Sequence, residues 1–197
     1  MYGGCTTKSS DKHSEIMQAA LELIAEHGFH GAPMAMIAEK AGVGAGTIYR
    51  YFASKDVLII DLYEKMEDAI MTNLLVGYPA GKPIRERFLH LATALLQHFI
   101  ANPFNFRFIE QYHNSPYGVS LRRGKMLGKS GEPMILKDLF EEGIAQQIMK
   151  DFPLYVLFSL AFGPLFSLTR DHILGFINLD DTLIQQISEA CWDAIKR

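Results

Sequence analysis

Thr47, Tyr49, Arg50, Tyr51 and Lys55 fall within nine residues. A hydroxyl, two phenols, a guanidinium and an ammonium are donors of the kind that hold phosphate oxygens and base edges. Other parts of the chain offer weaker chemistry. Glu110 and His113 form a Glu-x-x-His pair, but di-iron bundles use two such pairs and two further Glu. Glu86, His90 and His98 share helical spacing and with His113 are the raw material for a metal or ligand site; a hydrated surface is the simpler account. Gly42, Gly44 and Gly46 follow a predicted helix, whereas a dinucleotide loop must follow a strand. Gly128-Lys129-Ser130 resembles the end of a phosphate loop, but Arg123 stands where its first Gly is required. No Ser/His/Asp or Cys/His arrangement has local support, so the reading is of a non-enzyme with no cofactor.

The donors need a frame, and residues 33–58 supply one. Pro33 suits a first helical position, where its missing N–H has no partner to lose. Met36, Ile37, Lys40 and Ala41 have the i, i+3, i+4 spacing of a buried helical face. Gly42 is the predicted left-handed stop. A second helix begins near Gly44 or Ala45, with Ile48 and Phe52 on one face. Ser54 caps a third. Helix, glycine-bearing turn and helix make a helix-turn-helix, whose second helix enters the DNA major groove.

The residues Ile37-Ala38, Ala41-Gly42-Val43, Gly46-Thr47-Ile48-Tyr49, Tyr51-Phe52, Ser54-Lys55 and Leu58 resemble the TetR (tetracycline-repressor) family of bacterial regulators, over about residues 12–60. The resemblance implies an all-α chain. An N-terminal three-helix helix-turn-helix domain would occupy 1–56, and a C-terminal helical ligand-binding and dimerisation domain 57–197. It also implies Ala45, Gly46 and Thr47 near the bases, Tyr49, Tyr51 and Lys55 on phosphates, and Arg50 on either. Ala32 and Gly44 stand where many members have a capping Thr or Ser, and Met34 and Ala35 where polar residues often face DNA. Direct readout therefore rests on Thr47 and Arg50, with shape readout beside it.

Composition argues mildly against this reading, and the motif outweighs it. The 197 residues are 49% hydrophobic and 21% charged, with net charge −3. Residues 1–56 carry five Lys and Arg against six Asp and Glu, so a few placed cations, Lys8 and Lys12 among them, must do what a basic domain would do. Cys5 and Cys191 are too distant to suggest a disulfide framework. The polar N-terminus shows no leader, and the expected compartment is the cytoplasm. Residues 152–169 carry no charge; Pro153, Gly163 and Pro164 favour a buried helix at a subunit interface over a membrane span.

About nine helices are predicted. After the head come helices at about 55–75, from 84, 104–113, 133–150, 153–175 and 181–195, with 117–132 a helix fragment and mobile loop. Phe88, Leu91, Leu95, Phe99, Phe108, Tyr112, Phe140, Ile144, Phe158 and Phe162 are candidates to line an effector pocket, with Gln111, His113 and Tyr117 as polar orienting groups. The resulting expectation is a homodimeric repressor. It pairs through its eighth and ninth predicted helices, binds a palindromic double-stranded operator, and is released by a hydrophobic or aromatic small molecule that shifts the helix at 55–75. The competing expectation is an all-α small-molecule-binding or metal-dependent protein with an incidental helix-turn-helix. A steep salt dependence of duplex binding separates the two.

Overall fold

In the computed structural model the backbone is described over residues 6–126 and 134–197, and side chains over 12–123 and 135–197. Cys5, the side chain of Lys8 and the Gly128-Lys129-Ser130 run lie outside the described residues. Ten helices are present among them: α1 (Thr6–Gly31), α2 (Met34–Lys40), α3 (Ala45–Tyr51), α4 (Lys55–Leu75), α5 (Ile84–Ala101), α6 (Pro103–His113), α7 (Pro116–Met126), α8 (Met134–Ala145), α9 (Leu154–Ile173) and α10 (Asp181–Ile195). The all-α expectation is met. None of these helices is long and apolar enough to cross a membrane.

The chain divides into two compact units, and α4 contributes to both. The first comprises Met1–Asp68 with Phe104–Ser120. Its core is built from Ile16, Ala20 and Ile24 of α1, Ile37 of α2, Ile48 of α3, and Phe52, Leu58 and Leu62. Helix α1 is broken at Gly28, whose φ of 73° suits a residue without a Cβ. Phe29 then turns back and meets Phe108 edge-on, ring centroids 6.1 Å apart. The buried face of α2 differs from the expected one. Met34, Ile37 and Ala38 are buried, while Met36 and Lys40 are exposed. Lys40 instead pairs with Glu22 at 2.9 Å. Met34 is thus a core residue, not a DNA-facing one.

The second unit comprises Ala69–Pro103 and Leu121–Arg197. Helix α5 lies at its centre, packed on α8, α9 and α10, with Phe88, Leu91, Ala92 and Leu96 fully buried. Arg87 binds the Glu142 carboxylate at 2.7 Å and donates from Nε to the Tyr78 hydroxyl at 2.9 Å. Asp180 caps α10 by accepting from the Leu183 N–H at 2.8 Å.

Two boundaries differ from the prediction. The segment after Pro116 forms a full helix, α7. Helix α8 stops at Ala145, not near 150. The chain then reverses through Gln147, at φ 57°, and lays Met149 over Gly143. It ends in an isolated antiparallel bridge between Met149 and Lys196.

Candidate nucleic-acid interface and effector site

Helix α3 has only seven residues, too few to be stable without packing. Ile48 and Phe52, both fully buried, hold it in place; the Phe52 ring lies 4.9 Å from His13. Gly42, at φ 62°, makes the turn that sets α3 against α2. The Val43 N–H closes that turn on the Ala38 carbonyl at 2.9 Å.

This packing leaves the opposite face of α3 open. Ala45, Gly46, Tyr49 and Arg50 are exposed, and Thr47 and Tyr51 are half-buried. A Cβ on Gly46 would meet nothing within 4 Å, so another surface can come close to the backbone there. Gly44 begins α3 with no side-chain cap. The Thr47 N–H bonds the Gly44 carbonyl at 2.8 Å, while the N–H groups of Ala45 and Gly46 precede the first intrahelical bonds.

The expected phosphate contacts divide by environment. Tyr49 is 55% exposed. Tyr51 stands edge-on to His13, ring centroids 6.3 Å apart. Lys55 donates its ammonium to the carbonyl of Phe29, closing the broken end of α1. Partial burial pushes its pKa down. One of its three donors is therefore committed internally and two remain. Lys12 pairs with Glu15 at 2.5 Å.

The thirteen candidate effector residues are split between the two units. Phe108, Gln111, Tyr112, His113 and Tyr117 belong to the first, where they pack on one another and on neighbouring helices. Tyr112 stacks on Tyr63 with centroids 4.0 Å apart, and on Tyr117 at 5.8 Å. The Tyr63 hydroxyl reaches Glu67 at 3.2 Å and His113 Nε2 at 3.5 Å. Burial, then the Glu67 carboxylate, pushes the Tyr63 pKa up. Gln111 donates to the Ala25 carbonyl at 3.4 Å, and Tyr117 donates to the Asp56 carboxylate. Burial and that hydrogen bond push the Tyr117 pKa up to about 12. The proposed orienting groups thus act here as ties within the first unit.

Phe88, Leu91, Leu95, Phe99, Phe140, Ile144, Phe158 and Phe162 belong to the second unit. Phe140 stacks on Phe158 at 4.8 Å and meets Phe162 at 6.1 Å; Phe88 lies 6.0 Å from Phe162. Trp192 and Phe166, absent from the sequence-based set, extend this aromatic body at 5.6 Å from Phe88 and 5.4 Å from Phe99. A cavity of about 650 Å³ lies on another face of α5. Glu86, His90, Thr93 and Gln97 line it with Asp181 and Gln185 of α10. Val76, Pro79, Leu89 and Ala94 make the rest of its wall largely apolar, and none of the eight aromatic-body candidates lines it. Among the described residues no three His, Cys, Asp or Glu side chains are grouped to hold a metal.

His98 is buried in the second unit, and burial pushes its pKa below the ordinary 6.5. Above pH 6.5 folded and unfolded chains both hold it neutral. Below pH 6.5 the unfolded chain takes up the proton first, so stability falls as pH drops towards the lower folded-state pKa. The expected result is that His98→Leu shows a smaller loss of melting temperature between pH 7.5 and 5.5 than the parent chain. Equal losses would mean that His98 is protonated freely in the folded state.

Two family models match the chain. Bacterial regulatory proteins of the tetR family match residues 16–62, and the tetracyclin repressor-like C-terminal domain matches residues 83–196. The chain belongs to the TetR family. As a TetR-family member it is a DNA-binding transcriptional regulator with a helix-turn-helix head. The fatty acid metabolism regulator protein of Bacillus subtilis is 29% identical over 142 residues, covering 71% of this chain and 72% of that relative. A TetR family regulator from Marinobacter aquaeolei has the same fold, with TM-score 0.84 and 22% identity over 98% of this chain and 99% of that one. So does the transcriptional regulator FadR from Bacillus subtilis in complex with stearoyl-CoA, with TM-score 0.70 and 22% identity over 91% and 95%.

Proposed function

We propose that this TetR-family regulator is a homodimeric repressor, released from a palindromic operator by a long-chain acyl effector. The observation that carries the DNA part is the open face of α3. Tyr49, Arg50 and Thr47 project from a short helix whose other side is locked into the core. Tyr49, Tyr51 and the free donors of Lys55 grip phosphates, and Thr47 and Arg50 read bases. Ala45 and Gly46 give the backbone close access to the groove.

The effector reading is narrower than the one drawn from sequence. It rests on the aromatic body of the second unit alone, and on the fatty-acid and stearoyl-CoA associations of the two Bacillus subtilis relatives. A body of phenyl rings suits an alkyl chain. Dimerisation uses α9 and α10, the helices expected from sequence. On α9, Tyr155, Val156 and Leu160 are exposed, and Ser159, Gly163 and Ser167 beside them are small enough for close helix approach. Two-fold symmetry then requires half-sites related by a two-fold axis.

The test is selection of bound duplexes from a random pool, followed by titration of stearoyl-CoA into the selected complex. The expected result is an inverted repeat whose affinity falls steeply with salt. Release by 100-fold corresponds to about 2.7 kcal/mol of effector preference for the DNA-free form. Enrichment of no duplex would sink the DNA reading. An operator indifferent to stearoyl-CoA would sink the acyl reading only.

A further inference from the structure

Among the described residues of the second unit, two buried side-chain atoms have no hydrogen-bond partner: Nε2 of His98 and Oγ1 of Thr169. His98 is 8% exposed and Thr169 is fully buried. Buried polar groups are nearly always paired, because an unpaired one loses its hydration with nothing in return. Thr169 does not use the usual escape for a helical threonine, a bond to the carbonyl four residues back. The His98 backbone carbonyl is occupied, accepting from Asn102 Nδ2 at 2.8 Å; its ring nitrogen is not.

Each group stands next to an aromatic side chain of the second unit. His98 adjoins Phe99, with ring centroids 5.8 Å apart. Phe99 meets Phe166 at 5.4 Å, and Thr169 follows Phe166 by one turn of α9. Helices α5 and α9 pack on each other. Phe88, Phe140, Phe158 and Phe162 form a second ring cluster in the same unit. The unit therefore offers an extended apolar interior with unsatisfied hydrogen-bonding groups towards the C-terminal ends of α5 and α9. That pattern matches a ligand with a long alkyl body and one polar end.

We infer that His98 and Thr169 form the polar end of the effector site and donate hydrogen bonds to the acyl carbonyl oxygen of a long-chain acyl ligand. The inference rests on the acyl reading proposed above and adds the residues that recognise the acyl group. A neutral imidazole donates through Nε2–H and a threonine through its hydroxyl hydrogen, while a carbonyl oxygen has two lone pairs to accept them. An alkyl chain without a carbonyl leaves both donors unpaired, so the site discriminates by the cost of that omission.

The experiment uses the full-length chain and three ligands: stearoyl-CoA, its S-octadecyl thioether analogue without the carbonyl oxygen, and stearate. The parent chain is expected to bind the thioester roughly ten- to hundred-fold more tightly than the thioether. The His98→Leu, Thr169→Val double variant should bind both at the thioether's level, with a melting temperature equal to or above the parent's. Removing an unpaired buried polar group does not destabilise a core. His98→Gln, which keeps a donor near the position of Nε2, should retain most of the discrimination. Stearate binding that falls in the double variant shows the acyl oxygen is read from the free acid too; stearate that fails to bind, with the other results intact, assigns the site to the thioester. A double variant that still discriminates overturns the inference, as does a parent chain that binds thioester and thioether equally, which leaves the acyl reading standing. A parent chain that binds none of the three overturns both.

Discussion

Tyr49→Ala is expected to weaken operator binding by about ten- to hundred-fold at physiological salt while leaving the fold's stability within about 0.5 kcal/mol. The two halves come from the same geometry. Tyr49 is more than half exposed, so truncating it leaves no cavity. Its neighbour Ile48 is fully buried, and Ile48→Ala should cost about 2–5 kcal/mol of stability by removing the anchor that positions α3. One residue along the helix thus separates a binding effect from a folding effect. The loss at Tyr49 should be uniform across operator variants, because a phosphate contact carries no sequence information. Thr47→Ala with Arg50→Ala should act differently, relaxing preference at one or two base pairs by about 1–3 kcal/mol. Anisotropy titrations on a panel of single-base operator variants measure both. A panel ranking unchanged by the Thr47, Arg50 double variant would remove base readout from these residues, and full affinity in Tyr49→Ala would remove its phosphate contact.

The head was legible in sequence because its signals are local. Gly42 and the spacing of Ile48 and Phe52 locate the turn and both helices to within about a residue. Glycine was misleading where its cause is tertiary. Gly118, in a cation-rich stretch, reads as loop, yet it lies within α7. A Cβ there would stand 2.5 Å from the Tyr112 carbonyl oxygen and 2.6 Å from the His113 Cα. The glycine is required by the close passage of α7 over the end of α6. Gly143 is a second case: a Cβ would meet the Met149 sulfur at 2.6 Å, because the chain folds back over α8.

The effector candidates fall in both compact units, and helical spacing alone does not show that division. Helical spacing shows that Tyr112 and Phe140 are each buried, but not that one packs on α4 Tyr63 in the first unit and the other on Phe158 in the second. Tyr63 is buried on α4 beside Leu62 and Met66, and nothing in its spacing marks it as a stacking partner. His98 and Thr169 carry no sequence signal at all. Their interest lies in what they do not touch, which only coordinates reveal.

Leu160→Asp together with Val156→Asp is expected to convert the dimer to a monomer and to weaken operator binding by at least about 10²-fold. Leu160 and Val156 stand one turn apart on α9 and are 37% and 42% exposed, so the monomer loses little packing when they change. Leu89 of α5, half-buried and lining the cavity beside α10, is a control site off this face. Across a two-fold interface each substitution counts twice and brings like charges together. Each carboxylate left unpaired in a desolvated contact costs about 3–5 kcal/mol, more than a fully buried Val or Leu contributes, about 1.5–3 kcal/mol. Both terms oppose association. DNA affinity then falls without any change in α3, because the second recognition helix no longer arrives at the high effective concentration that the first creates. Sedimentation equilibrium at micromolar concentration reads the first effect, and the length of the protected duplex, one half-site in place of two, reads the second. A variant that remains dimeric and protects both half-sites would move the interface off this face of α9.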